Sequence, residues 1–160
     1  MEFFDVIERR HSVRKFTDKP LTQEQIDALI SVANSAPSSR NSKSTAFLII
    51  EDRDTLEALS QMREYGSSLI KGAQAAIVLL GDPSKTDLWV DNCAICATMI
   101  QLAATNLGLG SCWVHINGRT RAKLDDSQGY AEDYVRELLG VKDEMRIYNA
   151  IALGYEAVLE

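Results

Sequence analysis

Residues Ala75-Ala76-Ile77-Val78-Leu79-Leu80 form the longest uninterrupted apolar run of the chain, and Gly81-Asp82-Pro83 follows it directly. A short apolar run bounded by turn residues is typical of a strand that is buried on both faces. Residues 87–107 have apolar side chains on nearly every side of a helix, and Gly108 and Gly110 close it. A buried strand followed by a buried helix predicts a layered domain.

The other elements are predicted from helical or strand-like spacing and from turn signals. They are a helix over 3–10, a helix from Thr22 to about Ser35 with a capping box over 22–25, a strand over 46–50, a helix opening near Asp54, a strand over 111–114, a helix over 132–139 ended by Gly140, and a strand over 146–153. Segment 119–124 is ambiguous. Helices and strands do not alternate strictly, and no repeat or linker divides the chain, so we expect one α+β domain over 1–160.

The composition excludes several classes of protein. Lys and Arg number 17 against 23 Asp and Glu, which gives 160 residues a formal net charge of −6. Nucleic acid and anionic membranes are unexpected partners, because both need a cationic face. No apolar stretch reaches the length of a spanning helix, and Met1–Asp5 lacks the features of a signal peptide. Three cysteines, an odd number, argue against a disulfide framework, so we expect a cytoplasmic protein.

Cys93 and Cys96 have the CxxC spacing of thiol redox proteins. The pair lies inside the apolar helix pattern, where small buried thiols are expected, and a thiol redox protein is the alternative. His11 and His115 are far apart in the chain, and no carboxylate cluster accompanies them. We therefore expect neither a catalytic histidine nor a metal site.

One cationic cluster interrupts this acidic chain, at residues 9–15. Within it Arg10, Ser12 and Arg14 alternate, so an extended backbone would point these three side chains in one direction. Guanidinium groups present paired donors to phosphate oxygens, and a serine hydroxyl adds a neutral donor. The pattern indicates a phosphate-binding segment. The alternative is a solvated helix C-terminus, where basic side chains interact favourably with the dipole.

Two further segments suit a ligand. Residues 37–41 offer hydroxyl and amide groups on a loop, because Pro37 ends the preceding helix. Residues 107–113 place glycines where a backbone can lie against a ring without a β-carbon in the way. Taken singly, an ordinary turn and an ordinary helix cap explain both segments equally well.

The order and spacing of five segments resemble the nitroreductase family of FMN-dependent oxidoreductases, over nearly the whole chain. The segments are 10–14, 36–42, 109–113, 138–141 and 152–155. The resemblance implies an α+β sandwich whose central, mainly antiparallel sheet is flanked by helices, in an intertwined homodimer with FMN at the interface. It also implies ping-pong reduction of a small acceptor, such as a nitroaromatic or a quinone, with NAD(P)H as electron donor. A flavin-binding carrier or sensor without turnover is the alternative.

The resemblance further implies which residues bind the cofactor. The phosphate, the ribityl chain and the pyrimidine edge would be held by Arg10, Ser12 and Arg14, with His11 beside them. The partner subunit would contribute Pro37, Ser38, Ser39 and Asn41. The isoalloxazine face and N5 would lie near Leu109, Gly110 and Ser111. No residue of the chain is expected to act as a catalytic acid or base, because the cofactor carries the chemistry.

The sequence departs from the family pattern in two places. Many members have a Gln-Pro-Trp-like segment where this chain has Ser42–Phe47, so the substrate class does not follow from the resemblance. Members also usually continue past the Gly-Tyr pair with a tail that supplies another cation to the phosphate, where this sequence has Glu156–Glu160. Three explanations stay open: Arg10 and Arg14 suffice, a cation such as Arg119 or Arg121 substitutes, or FMN is held more weakly.

Overall fold

The strands of the single sheet come from distant parts of the chain. The computed structural model describes residues 1–158, so the last two residues of the acidic tail, Leu159 and Glu160, lie outside it. The strands are β1 (Thr45–Ile50), β2 (Ala75–Gly81), β3 (Gly110–His115) and β4 (Arg146–Gly154). Their order is β1-β2-β4-β3, and every pair is antiparallel. This confirms the predicted α+β class and its antiparallel sheet.

Five α-helices and two short 3-10 helices accompany the sheet within the described residues. The α-helices are α1 (Phe3–Arg9), α2 (Gln23–Ser35), α3 (Arg53–Ser60), α4 (Trp89–Asn106) and α5 (Ala131–Leu139), and the 3-10 helices are Ser39–Asn41 and Ser68–Gly72. No helix among residues 1–158 combines the length and the apolarity needed to cross a bilayer.

Several details differ from the prediction or complete it. The long helix begins at Trp89 rather than 87, because the Leu88 amide donates to Thr86 Oγ1 in a turn before the helix. β3 is one residue longer at each end than the predicted strand over 111–114. Segment 119–124 contains no helix or strand, and the 3-10 helix Ser68–Gly72 was not predicted.

The sheet is covered by helices on both faces. Leu29 of α2 and Ile100 of α4 pack against Ile77 on one face. Leu56 of α3 and Val135 of α5 belong to the core on the other face. Both layers are apolar, which explains why every residue of β2 is buried and why its sequence lacks the polar alternation of a half-exposed strand.

The predicted cap at the start of α2 and the predicted glycine after α4 are both present in the structure. Thr22 and Gln25 form a reciprocal capping box at the start of α2, with N-to-O distances of 3.2 and 3.0 Å. Just after the C-terminal end of α4, Gly108 has a φ of +74°, a left-handed conformation that glycine adopts without strain. The chain therefore turns sharply from α4 into β3.

A buried carboxylate joins α5 to β4. Glu132 Oε1 accepts hydrogen bonds from Arg146 Nε at 2.8 Å, the Ile147 amide at 3.0 Å and Arg136 Nη2 at 3.2 Å. Burial acts to raise the pKa of Glu132, but the hydrogen bonds and charges of these partners outweigh it and lower the pKa. The folded state thus holds this carboxylate in its ionised form.

Candidate functional site

The cationic segment pairs with the first residues of β3. Ser12 forms a parallel bridge with Ser111, and the Val13 amide donates to the Ser111 carbonyl at 2.9 Å. Val13 is buried, whereas Ser12 and Arg14 on either side of it are exposed. The segment is therefore extended, and Ser12 and Arg14 both face away from the core, as the alternating pattern predicts.

Gly110 lies against Val13. A β-carbon built on Gly110 would come within 2.7 Å of Val13 Cγ2, a distance too short for two carbon atoms. The missing side chain is therefore needed for the approach of the cationic segment. The sequence interpretation assigned this space to a flat ring, but Val13 fills it.

The other two residues of this predicted group are buried. The Leu109 side chain is 4% exposed and belongs to the core beside α4. Ser111 is 2% exposed, and its hydroxyl lies 3.4 Å from Gln101 Nε2. Leu109 and Ser111 are thus buried as whole residues, and Gly110 between them is partly exposed.

Arg14 borders two open grooves. One has a volume of about 530 Å³ and is also lined by Tyr65, Cys112 and Trp113. The other, of about 520 Å³, is also lined by Lys15 and the chain from Glu156 to Val158. Both volumes lie in the range of about 300–1,000 Å³ that is usual for small-ligand sites.

The two arginines of the segment carry uncompensated charge. No carboxylate within the part of the chain that the structure describes lies within 4 Å of the Arg10 or Arg14 guanidinium. Among the described residues, Arg14 Nη1 donates to the Ser12 carbonyl alone, at 3.3 Å. An anion at Arg14 would thus meet a guanidinium that has no carboxylate within 4 Å among residues 1–158, although Glu156 lines one of its two grooves.

His11 connects the segment to the C-terminal part of the chain. Its Nε2 lies 3.0 Å from Glu156 Oε1, and its Nδ1 lies 2.8 Å from the Arg9 carbonyl. The hydrogen bond to Glu156, the hydrogen bond to the Arg9 carbonyl and the charge of Glu156 raise the pKa of His11, in that order of size. Next to this pair, the Ala157 amide donates to the Lys15 carbonyl at 3.0 Å. His11 thus helps to fix Glu156 and Ala157 beside Arg14.

Of the two arginines suggested as substitutes for the family's basic tail, Arg121 has other contacts. Arg121 donates to the carbonyls of Met62 and Gln61 and lies over the Tyr134 ring, 4.1 Å from its centroid. Its guanidinium is therefore committed to holding segment 119–124 in place. Lys15, which the sequence interpretation did not assign, lines the same groove as Arg14.

The predicted loop at Pro37–Asn41 is strained. Arg40, Asn41 and Lys43 have φ values of +50°, +54° and +50°, a left-handed conformation that costs a non-glycine residue about 1–3 kcal/mol. Ser38 accepts the Lys43 amide on its hydroxyl at 3.0 Å, which closes the loop. Such conformations persist only where the surrounding structure enforces them.

Asn92, near the start of α4, stabilises the conformation of this loop. Its Oδ1 accepts the Ser39 amide at 3.0 Å, and its Nδ2 lies 2.8 Å from Ser44 Oγ and 3.3 Å from Ser42 Oγ. The side chain is 2% exposed, so these bonds form away from water. Sequence reasoning missed Asn92; the signal was an amide in an otherwise apolar helix, opposite a serine-rich loop.

The two parts of the predicted site, the loop at 37–41 and the cationic segment with β3, are linked to different positions along α4. Asn92 holds the loop, and Gln101 contacts Ser111, the residue that pairs with the cationic segment. Nine helical residues correspond to about 13 Å along the helix axis. Within the described residues, no hydrogen bond connects segment 10–14 with segment 37–41.

The cysteines of the CxxC pair are buried. Cys93 and Cys96 are 0% and 1% exposed. Burial raises the pKa of Cys93 to about 12 and that of Cys96 to about 11. Thiol redox chemistry needs an accessible thiolate, so these values contradict the thiol redox alternative. Among residues 1–158, no group of three or more His, Cys, Asp or Glu side chains is arranged to hold a metal ion.

His115, at the end of β3, packs among aromatic side chains. Trp113 Nε1 donates to His115 Nδ1 at 3.1 Å, and the two rings stack with centroids 6.2 Å apart. Tyr148 packs edge-on against both rings. This geometry assigns the His115 proton to Nε2, so that Nδ1 can accept. Trp113 is half-buried, since it also lines the groove beside Arg14.

Comparison with known proteins defines the class of this protein. A family model described as "Putative TM nitroreductase" matches residues 2–158. The chain therefore belongs to the nitroreductase family, as the resemblance predicted.

Individual relatives agree with this assignment. An Archaeoglobus fulgidus protein named "Putative NADH dehydrogenase/NAD(P)H nitroreductase" is 31% identical over 159 residues, which cover 96% of this chain and 85% of the relative. The structure of an FMN-dependent nitroreductase from Clostridium difficile R20291 is 34% identical, with a TM-score of 0.92 over 98% of this chain and 89% of its own. A Parabacteroides distasonis structure with the same name as the Archaeoglobus protein is 31% identical, with a TM-score of 0.85 over 99% and 89% of the two chains. These names support the predicted oxidoreductase class.

Proposed function

We propose that residues 1–160 form a single FMN-binding domain that acts in the cytoplasm as an NAD(P)H oxidoreductase, and that it reduces a small acceptor such as a quinone or a nitroaromatic. The family supports this proposal, as does the FMN-dependent relative at 34% identity. The observation that carries it is the Arg14 guanidinium, which borders an open groove on the same extended segment as Ser12 and has no carboxylate within 4 Å among residues 1–158.

The residues present fit FMN. Arg10 and Arg14 would hold its phosphate, because charge-assisted bonds to guanidinium are strong and directional. The exposed Ser12 hydroxyl would bind the ribityl chain or the pyrimidine edge. Lys15, on the same groove as Arg14, would add a third positive charge where relatives use a tail residue. His11 would support this grip through its contact with Glu156.

These contacts indicate which part of the reaction the cofactor would supply and which part the chain would supply. Bound FMN supplies reversible hydride chemistry, which lets NAD(P)H and the acceptor use one site in turn, the ping-pong order. The chain would position the cofactor and set the local charge: the guanidinium groups would anchor its phosphate, and the partly exposed Gly110 would border its ring, with the buried Ser111 behind it. Trp113 contributes an apolar wall to the groove. No side chain is required to act as a nucleophile or a general base.

A second copy of the chain would complete the site. Pro37, Ser38, Ser39 and Asn41 would reach the cofactor of the partner subunit. In their own chain Asn92 anchors this loop, about 13 Å along α4 from Gln101, which contacts the strand that pairs with the cationic segment. Exposed apolar side chains offer surface for a homodimer: Phe4 is 82% exposed, Phe3 65%, Ile7 45% and Ile95 40%. Soluble proteins rarely leave such neighbouring aromatic residues uncovered.

The test is the visible spectrum of the purified protein, followed by NAD(P)H oxidation with a quinone and with a nitroaromatic. A yellow protein that consumes NADH or NADPH with either acceptor supports the proposal. A yellow protein that is inert to both nicotinamides identifies a flavin carrier or sensor instead. A colourless protein that takes up no added FMN overturns both. A sedimentation mass of one chain at micromolar concentration would contradict the shared site.

A further inference from the structure

The loop between α2 and β1 is joined to the start of α4 by one connected set of hydrogen bonds, which we call the Asn92 network. Its members are a buried amide and four hydroxyl groups, those of Asn92, Ser39, Ser42, Ser44 and Thr86. Asn92 Nδ2 lies 3.4 Å from Ser39 Oγ, which in turn lies 3.2 Å from Thr86 Oγ1. The network thus joins the loop both to α4 and to the turn that precedes this helix.

The backbone of the loop follows a path that its own residues do not favour. Arg40, Asn41 and Lys43 are left-handed, although none of them is glycine. One backbone contact accompanies the network, because the Asp82 amide donates to the Ser44 carbonyl at 2.8 Å. Without these bonds the loop would populate the right-handed and extended regions that non-glycine residues prefer. The Asn92 network therefore fixes the conformation of the loop.

The outer side chains of the loop have no polar partner within the part of the chain that the structure describes. Arg40 and Asn41 are exposed, and neither side chain forms a hydrogen bond or an ion pair with residues 1–158. Pro37 is exposed as well. A rigid loop that carries free polar groups is typical of a surface that binds a ligand. The ligand of this surface lies outside the chain itself.

We propose that Asn92 is a positioning residue for the cofactor site of the other subunit. Through the Asn92 network it holds residues 37–41 in the conformation that would meet the FMN bound by the cationic segment of the partner. Asn92 would not touch the cofactor, because its side chain is 2% exposed and both of its polar atoms are engaged within its own chain. The inference rests on the proposed function and adds a residue to the shared site.

Preorganisation is the energetic basis of this role. A loop that becomes ordered only on binding loses conformational entropy, and this cost is subtracted from the binding free energy. With the network intact, the loop is already ordered when the cofactor arrives. Loss of Asn92 should therefore weaken FMN binding by about tenfold or more, and the weakened site should be that of the partner.

Mixed dimers test in which subunit Asn92 acts. Two differently tagged chains are co-expressed, and the dimers that carry both tags are purified. One dimer has Arg14→Ala on one chain and Asn92→Ala on the other. The matched control has both substitutions on one chain and a wild-type partner, so the two dimers contain the same changes. FMN content is measured at an FMN concentration between the dissociation constants of wild type and Asn92→Ala.

The dimer with separated substitutions should retain one FMN, since the cationic segment of one chain then meets the intact loop of the other. The control should retain almost none, because each of its two sites has one defect. The reverse result would show that the loop acts in its own chain. Equal FMN content in the two dimers would show that Asn92 does not position the loop for the cofactor. Either result overturns the proposal.

Limited proteolysis of the cofactor-free protein separates release of the loop from general destabilisation. Trypsin cleaves after Arg40 and Lys43, which are exposed but held in the left-handed conformation. In Asn92→Ala, cleavage at these two positions should be about tenfold faster, whereas cleavage after the exposed Lys142 should match wild type. Equal acceleration at all three positions would show a merely structural role and overturn the proposal.

Thr86→Val provides a milder second variant. It removes one hydroxyl of the network at similar side-chain volume, so it should keep the fold and replace Asn92→Ala in the mixed dimers if that variant does not fold. Its FMN binding should be about threefold weaker, with the same dependence on the subunit. Wild-type FMN affinity in both variants overturns the inference, while flavin content and NAD(P)H oxidation by wild type would still support the proposed function. A wild-type protein that takes up no FMN overturns the proposed function, and the inference with it.

Discussion

Val13 occupies the space next to Gly110 so fully that a β-carbon on the glycine would lie 2.7 Å from Val13 Cγ2. We expect Gly110→Ala to push Val13 and its neighbours Ser12 and Arg14 away from β3. Overpacking of this kind typically costs about 1–3 kcal/mol. Urea denaturation and FMN titration should show lower stability and at least tenfold weaker FMN binding.

The double variant Val13→Ala/Gly110→Ala provides the control. It removes the two colliding methyl groups but keeps the β-carbon of residue 13, which would lie 2.8 Å from the new one, so FMN binding should recover part of the loss. Wild-type FMN affinity in Gly110→Ala alone would show that the cationic segment does not depend on this contact.

Arg14→Ala should weaken FMN binding by a factor of about ten to a hundred, because one charge-assisted bond contributes about 1.5–3 kcal/mol. Fluorescence titration of the apoprotein with FMN measures the dissociation constant. Lys142→Ala, which removes an exposed cation at the end of β4 away from Gly110, should leave the constant unchanged. An unchanged constant in Arg14→Ala would remove Arg14 from the phosphate grip.

Asn92→Ala should lower the free energy of unfolding by about 2–4 kcal/mol. The change leaves the Ser39 amide and the Ser44 hydroxyl without their buried partner, and each lost bond costs about 0.5–1.5 kcal/mol plus the penalty for unsatisfied groups. Asn106→Ala, at the exposed end of the same helix, should change the value by less than about 0.5 kcal/mol. Similar losses in both variants would show that Asn92 has no special role.

The stability of the protein should fall on acidification partly through Glu132. Its pKa is lower in the folded state than its ordinary value of 4.5, so its contribution is full above that value and is lost as the pH falls toward the folded pKa. Urea denaturation should show Glu132→Gln well below wild type at pH 7, with the gap narrowing by pH 3. The exposed Glu137→Gln should follow wild type throughout. A gap that stays constant with pH would contradict the ionised carboxylate.

The thiols should be inert in the folded protein. Iodoacetamide at pH 8 should label native protein very slowly and should label three cysteines after denaturation, because burial raises the pKa of each thiol. NAD(P)H oxidation should survive this treatment. Rapid native labelling with loss of activity would restore the thiol redox alternative.

Local patterns predicted most of the fold. The apolar run at 75–80, the capping box at Thr22 and the glycine after α4 each correspond to a structural element within a residue or two. These signals act over a few residues, which is why one sequence suffices to read them. The 3-10 helix Ser68–Gly72 escaped prediction because one turn carries no periodicity.

The site was harder to predict from the sequence than the fold, because its contacts join segments that are distant in the chain. The alternation of Arg10, Ser12 and Arg14 could be read from the sequence. That residue 110 must be glycine follows only from the position of Val13, which the structure shows. The amide of Asn92 bonds to residues about 50 positions earlier, and the Arg63 side chain reaches the His115 carbonyl, which is about 50 positions later. Only tertiary packing determines which distant residues meet.

The offset of Asn92 and Gln101 along α4 has a thermodynamic consequence for the proposed enzyme. When one copy holds the phosphate and another covers the ring, cofactor binding and self-association are linked, and each strengthens the other by the same factor. Dilution would then release flavin, and flavin would draw monomers together. The cellular supply of FMN would in this way set the assembled fraction of the protein as well as the active fraction.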